Sequence, residues 1–179
     1  GKKPILAIYS TFLQRAYDQL IHDVTLQNLD VTLAIDRAGF VGGDGATHAG
    51  IFDVSFLRCV PNILIMSPSD EAECWKMLST GYNYQGPAAI RYPRGEGPGA
   101  EILKNFDCLE IGKAKLINDV DSEIVIFSFG NVLDLSLDIA DELNCSLIDM
   151  RFIKPLDEEL IEKYAKNCKH LISIEENLV

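Results

Sequence analysis

The sequence predicts an α/β protein: a mostly parallel sheet with flanking helices, followed by a partial second unit of the same class. Three observations carry this. Short apolar runs alternate with amphipathic stretches at βαβ spacing from residue 4 to residue 92. The stretch Pro93-Arg-Gly-Glu-Gly-Pro-Gly99 is dense in Gly and Pro and marks a boundary. Beyond it the strand–helix alternation resumes. With 179 residues, 47% hydrophobic and 24% charged, the chain can bury a core without disulfides or metal.

The first apolar run, Pro4 to Tyr9, reads as a buried strand with proline at its start. Ser10 or Thr11 is placed to cap a helix whose apolar positions are Leu13, Ala16, Tyr17, Leu20, Ile21 and Val24, a 3.6-residue stripe. The next strand spans 31–35 and leads into a glycine-rich loop from Gly39 to Gly50. A short helix over 53–58, a strand over 63–66 and a helix capped by Ser69 follow. Asp70, Glu71 and Glu73 sit in that helix's first turn, where its dipole favours acids. A strand over 88–92 completes the first set. Beyond the boundary come a connecting strand over 111–117, a strand over 124–129, a turn at Gly130-Asn131 and a helix over 133–143. A strand over 147–150, a helix over 157–166 and a strand over 171–174 end the chain. Three parallel strands make a thin sheet, so this second unit reads as truncated. The expected division is 1–100, a linker and connecting strand over 101–122, and 123–179.

The charge is uneven. The net charge is −11, which disfavours nucleic-acid and anionic-membrane partners. Residues 1–100 hold eight basic and ten acidic residues, and residues 101–179 hold eight and seventeen. Five of six arginines lie in the first part, where an anionic small substrate is therefore sought. No apolar run approaches the ~20 residues of a membrane span, and no signal-peptide pattern opens the chain. The five cysteines are scattered without a C-x-x-C, as expected of small core residues in an intracellular protein.

Ligands of parallel sheets bind at the carboxyl ends of the strands. Tyr9, Ser10 and Thr11 follow the first strand, Asp36 and Arg37 the second, and Arg91 to Arg94 the last, so all should crowd one edge. The loop Asp36 to His48 matches neither a dinucleotide fingerprint nor a Walker motif. It reads either as an elaborate turn or as a site. His48 is the loop's one histidine, suited to acid–base work on an anionic carbonyl compound. Asp44 could orient or polarise it, or contact a cofactor nitrogen. Arg91 is expected to turn into the sheet while Arg94 reaches the cleft. Arg15 lies one turn into the first helix, and Phe12 stands at its N-terminus, a favourable place for anions and stacked rings. Three dispersed histidines make a complete metal site within the chain improbable.

The runs Tyr9-Ser-Thr-Phe-Leu-Gln-Arg-Ala-Tyr-Asp18, Asp36-Arg-Ala-Gly39, Asp44-Gly-Ala-Thr-His48 and Arg91-Tyr-Pro-Arg-Gly95 together resemble the 1-deoxy-D-xylulose-5-phosphate synthase family of the transketolase superfamily. The resemblance extends to Asp149-Met-Arg-Phe-Ile-Lys-Pro-Leu-Asp157 and Glu175-Glu-Asn177, so it covers essentially the whole chain. It implies a cytoplasmic, homodimeric transferase that condenses pyruvate with glyceraldehyde 3-phosphate, on the route to isoprenoids, thiamine and pyridoxal. The implied cofactors are thiamine diphosphate and Mg2+, with the diphosphate and metal ligands outside these residues. Residues 1–100 would be most of the pyrimidine-binding domain, and 123–179 the start of the C-terminal domain. The family's catalytic glutamate would lie upstream of Gly1, so the fragment by itself is expected to be inactive. Carried over by position, Phe12 would stack on the aminopyrimidine, and Tyr9, Arg37 and Arg94 would hold the acceptor phosphate. Asp44 and His48 would face the reacting carbon, and Arg15 would lie near the same cleft. Ala46 and Ala49 stand where many relatives carry Gln. Another transketolase-superfamily enzyme, or a noncatalytic α/β interaction module, are the competing readings.

Overall fold

A computed structural model describes residues 1–103 and 105–178. Two sheets form. The first has the order β1-β2-β4-β3-β8, made of Ile5–Tyr9 (β1), Thr32–Asp36 (β2), Leu64–Met66 (β3), Ala88–Arg91 (β4) and Phe152–Lys154 (β8). The second has the order β5-β7-β6-β9, made of Lys115–Asn118 (β5), Ile124–Ser128 (β6), Ser146–Asp149 (β7) and His170–Ile174 (β9). β1, β2, β4 and β3 are parallel, as are β7, β6 and β9. β5 and β8 each add an antiparallel edge.

The central strands β2, β3 and β4 are mostly apolar, with Thr32, Asp36 and Arg91 the polar members, because helices cover both faces. Leu33, Ile35 and Ile65 pack with Leu13, Leu20 and Leu57 on one face. On the other, Met66, Ala88 and Ile90 pack with Met77 of the helix Glu71–Asn83 (α4). Gly81 lets that helix approach closely: a Cβ there would meet Ile90 and Ala88 at 3.1 and 3.2 Å. The second sheet is covered likewise by the helices Leu133–Leu143 (α5) and Glu158–Asn167 (α6).

Four local expectations are corrected. β1 is an edge strand, with Ile5 and Leu6 about half exposed, because its pairing leaves one side uncovered. The stretch 10–25 is helical but irregular: α-helical Ser10–Leu13 (α1), a 3-10 turn Gln14–Ala16, α-helical Tyr17–Gln19 (α2) and π-helical Leu20–Thr25. No side chain caps its start; Ser10 is buried inside it and the Thr11 hydroxyl donates to the Thr47 carbonyl. Asp70, not Ser69, caps α4 by accepting from the Glu73 amide at 2.7 Å. Cys59 and Cys108 are exposed, whereas Cys145 is buried, and all five thiols are free. No helix of the described residues is long and apolar enough to cross a membrane.

The units are joined by more than the linker. β8 lies in the second half of the chain yet pairs with β3 of the first sheet. Beside it, Arg151 reaches Glu73 on α4 at 2.9 Å, and Ser69 donates to the buried carboxylate of Asp149 at 3.0 Å. Burial pushes the Asp149 carboxyl up to about 6, outweighing the hydrogen bonds from Ser69 and the Arg151 amide. A carboxyl raised in the folded state stabilises fully below its unfolded value, about 3.9, and that contribution is lost as pH rises through 6. Asp149→Asn removes this loss. Urea titrations should therefore show the variant gaining on the parent from about pH 4 to 6, and a difference constant across that window would refute the assignment.

Candidate active site

The carboxyl ends of β1, β2 and β4 bring six of the seven expected side chains together. Tyr9 ends β1, and its ring stacks on Phe12 of α1 with centroids 5.3 Å apart and planes within 7°. The His48 ring meets both edge-on, 5.5 Å from Phe12 and 6.5 Å from Tyr9. The Arg37 guanidinium lies over the Tyr9 ring at 4.0 Å, a cation–π contact.

Arg37 follows β2 in the left-handed region, with φ +56. Asp36 holds it there, accepting from its amide and from its Nη1, both at 2.6 Å. Such a conformation in a residue other than glycine persists only where surrounding contacts fix it. Arg37 Nε donates to Asp44 Oδ2 at 2.9 Å, and Arg94 Nε lies 3.0 Å from Asp44 Oδ1. One carboxylate thus gathers two guanidinium groups from the ends of β2 and β4. The Arg37 hydrogen bond, aided by the charge of Arg94, holds the Asp44 carboxyl below the usual carboxylate range.

The loop that carries Asp44 and His48 consists of two 3-10 turns, Gly42–Asp44 and Ala46–His48, hinged at Gly45 with φ +78. Its base is closed by the Gly39–Gly50 backbone pair. Asp44 makes no hydrogen bond to His48; the His48 Nδ1 lies 3.0 Å from the Thr47 hydroxyl instead. Arg15 is exposed and has no hydrogen-bond or ion-pair partner among the described residues. Arg94 also lines a cleft of about 480 Å3 between the units, with Ser69 and Asp70 on one side and Asn131 and Asp134 on the other.

Sequence reasoning missed Asp53. It opens the short helix Asp53–Arg58 (α3) and is fully buried against Arg91, whose Nε donates to it at 3.0 Å. An aspartate heading a helix looks like ordinary capping, and only the inward turn of Arg91 signals a needed counter-charge. Thr47 was missed as the neighbour of His48. Glu176, though within the resembling run Glu175-Glu-Asn177, and Asn131, read only as part of a turn, meet beside Gly39 from the second unit, and nothing local tied either to the site. Among the described residues no group of three or more His, Cys, Asp or Glu could hold a metal ion.

A parallel sheet with this rim, followed by a second α/β unit that returns a strand to it, defines a transketolase-type α/β protein. Residues 1–99 match the family "Transketolase, pyrimidine binding domain", and 112–179 match "Transketolase, C-terminal domain". The chain belongs to the transketolase pyrimidine-binding-domain family. It is 60% identical over all 179 residues to a protein of Hahella chejuensis named 1-deoxy-D-xylulose-5-phosphate synthase, and covers 28% of it. A Francisella tularensis subsp. novicida protein of the same name is 55% identical, with 29% covered. The chain thus spans less than a third of these relatives. Among solved structures, a split-gene transketolase described as an inactive beta4 tetramer superposes with a TM-score of 0.87 at 25% identity, over 99% of this chain and 58% of that one. The transketolase of Campylobacter jejuni gives 0.76 at 20% identity, over 97% and 31%, a likeness of fold.

Proposed function

We propose that these residues form the pyrimidine-binding and acceptor-phosphate side of a 1-deoxy-D-xylulose-5-phosphate synthase, acting within a longer polypeptide. The observation that carries this reading is the convergence of Arg37 and Arg94 on a single carboxylate, beside a stacked ring pair and an imidazole. Two guanidinium forks within reach of one point suit a phosphate, with Tyr9 beside them. The exposed ring of Phe12, already stacked on one face, suits contact with the aminopyrimidine of thiamine diphosphate. When bound, that cofactor supplies the carbanion stabilisation for decarboxylation of a 2-oxo acid. The chain's own residues orient glyceraldehyde 3-phosphate through the arginines and move a proton at His48. Asp44 fixes the arginines against one another. Arg15 stands at the same helix as Phe12, and its part is limited to drawing anions to the rim.

Pyruvate is the donor in this reading, Mg2+ and the diphosphate are held by other residues, and the whole enzyme is a cytoplasmic homodimer. The domains divide at 1–100, 101–122 and 123–179. The chain alone is inactive, in line with the description of the split-gene transketolase chain. The test is Arg94→Ala in the enzyme. Loss of a charged hydrogen bond of about 1.5–3 kcal/mol should raise the KM for glyceraldehyde 3-phosphate about 10- to 100-fold, with that for pyruvate nearly unchanged. Equal losses for both substrates would remove Arg94 from the phosphate site. Xylulose 5-phosphate outperforming pyruvate as donor would favour a transketolase.

A further inference from the structure

The loop bearing Asp44 and His48 is held from the second unit. Its base consists of one residue pair, Gly39 and Gly50, exchanging backbone hydrogen bonds of 2.8 and 2.9 Å. Three further glycines, at 42, 43 and 45, lie inside it, so the loop alone is costly to order. The segment 175–178, beyond β9, closes over this base. The Glu176 side chain lies directly on Gly39, where any Cβ would overlap its carboxylate. Asn131 Nδ2, from the start of the α5 region, donates to the same carboxylate at 3.0 Å. The Glu176 carbonyl accepts from Arg91 at 3.4 Å. Two residues on, the Leu178 amide donates to the Ile51 carbonyl at 2.8 Å, and Asn177 Nδ2 donates to the Ser55 hydroxyl at 2.8 Å. Together these contacts hold the loop's start at Gly39 and the chain just beyond its end at Ile51 and Ser55.

We propose that Glu176 is a positioning residue for this site: from the second unit it fixes the base of the 39–50 loop, and through it the placing of Asp44 and His48. The role in catalysis rests on the reading of that loop given above. A short bridge between two glycines gains its rigidity from what packs on it: Ser10 and the Arg37 backbone lie against Gly50, and the Glu176 side chain, locked by Asn131, lies against Gly39.

Amide hydrogen exchange in the full chain tests the clasp without any substrate. Glu176→Ala should speed exchange at Gly39 and Gly50 about tenfold, while Ile126 and Leu147 in the second sheet keep parental rates. Glu176→Gln keeps both the bulk on Gly39 and an oxygen for Asn131, and should restore slow exchange. In the cofactor-loaded enzyme, Glu176→Ala should lower kcat about 10- to 100-fold with the KM for pyruvate unchanged, and Glu176→Gln should recover it. Unchanged exchange at Gly39 and Gly50 in the Ala variant would overturn the proposal. So would faster exchange with unaltered kcat, or a Gln variant as impaired as Ala. If the parental enzyme fails to turn over pyruvate and glyceraldehyde 3-phosphate, the functional reading falls, and the exchange comparison still decides whether Glu176 holds the loop.

Discussion

Arg91→Met is expected to lower the unfolding free energy by about 3–5 kcal/mol, the cost of leaving one member of a buried ion pair without the other. Arg91 is 2% exposed and Asp53 is fully buried, so neither charge has water to fall back on. Asp53 Oδ1 is already committed to the Val54 amide at 2.9 Å, and Oδ2 to Arg91. Removing the guanidinium strands Oδ2 inside the protein. It also removes the charge that restrains Glu175, whose carboxyl burial already pushes upward, and the donor to the Glu176 carbonyl. The double variant Asp53→Leu with Arg91→Met removes both charges together and should recover most of the loss, because the attraction of a buried pair is largely offset by its desolvation. Urea unfolding with an unchanged m-value would measure both. A loss below about 1 kcal/mol in the single variant would mean that water reaches the pair.

The same pair marks how far sequence reasoning reached. The parallel first sheet was legible because β2, β3 and β4 are buried on both faces and therefore largely apolar, with Thr32 and the strand-end Asp36 and Arg91 the exceptions. Where each strand stands in the sheet was not. The apolar run at 5–9 looks the same whether it ends up central or at the edge, and pairing with β2 alone leaves Ile5 and Leu6 open. β8 was illegible because three residues carry no periodicity and their partner lies far back in the chain at β3. Ser69 and Asp70 are both good caps. Asp149 decides between them by drawing the Ser69 hydroxyl away. At the site, residues directly after a strand or in the glycine loop were found, since chain direction alone sends them to one edge. Arg15 was included on helix position, and the irregular helix leaves it exposed without a partner. Glu176 lay beyond reach because its contact with Gly39 depends on how the two units meet.

His48→Ala should reduce kcat about 100- to 10,000-fold in the enzyme, the usual range for a lost acid–base group, while thiamine diphosphate remains bound. The geometry separates the two effects. The Tyr9–Phe12 stack stands on β1 and α1 and does not need the imidazole, so the ring proposed above to meet the cofactor stays exposed. The His48 ring is instead anchored at one nitrogen, with Nδ1 3.0 Å from the Thr47 hydroxyl, and Nε2 has no protein partner among the described residues. An imidazole whose tautomer is set at one nitrogen and whose other nitrogen is free can exchange a proton with a substrate oxygen. Thr47→Val tests the anchor: it should lower kcat only several-fold, since a valine of similar shape keeps the ring edge-on to Phe12. Single-turnover kinetics with calorimetric cofactor titration would separate the cases. Loss of cofactor binding in His48→Ala would make the histidine structural, and unchanged turnover would end its role as a proton carrier. Asp44 cannot substitute for the missing ring, because both its oxygens are taken by Arg37 and Arg94.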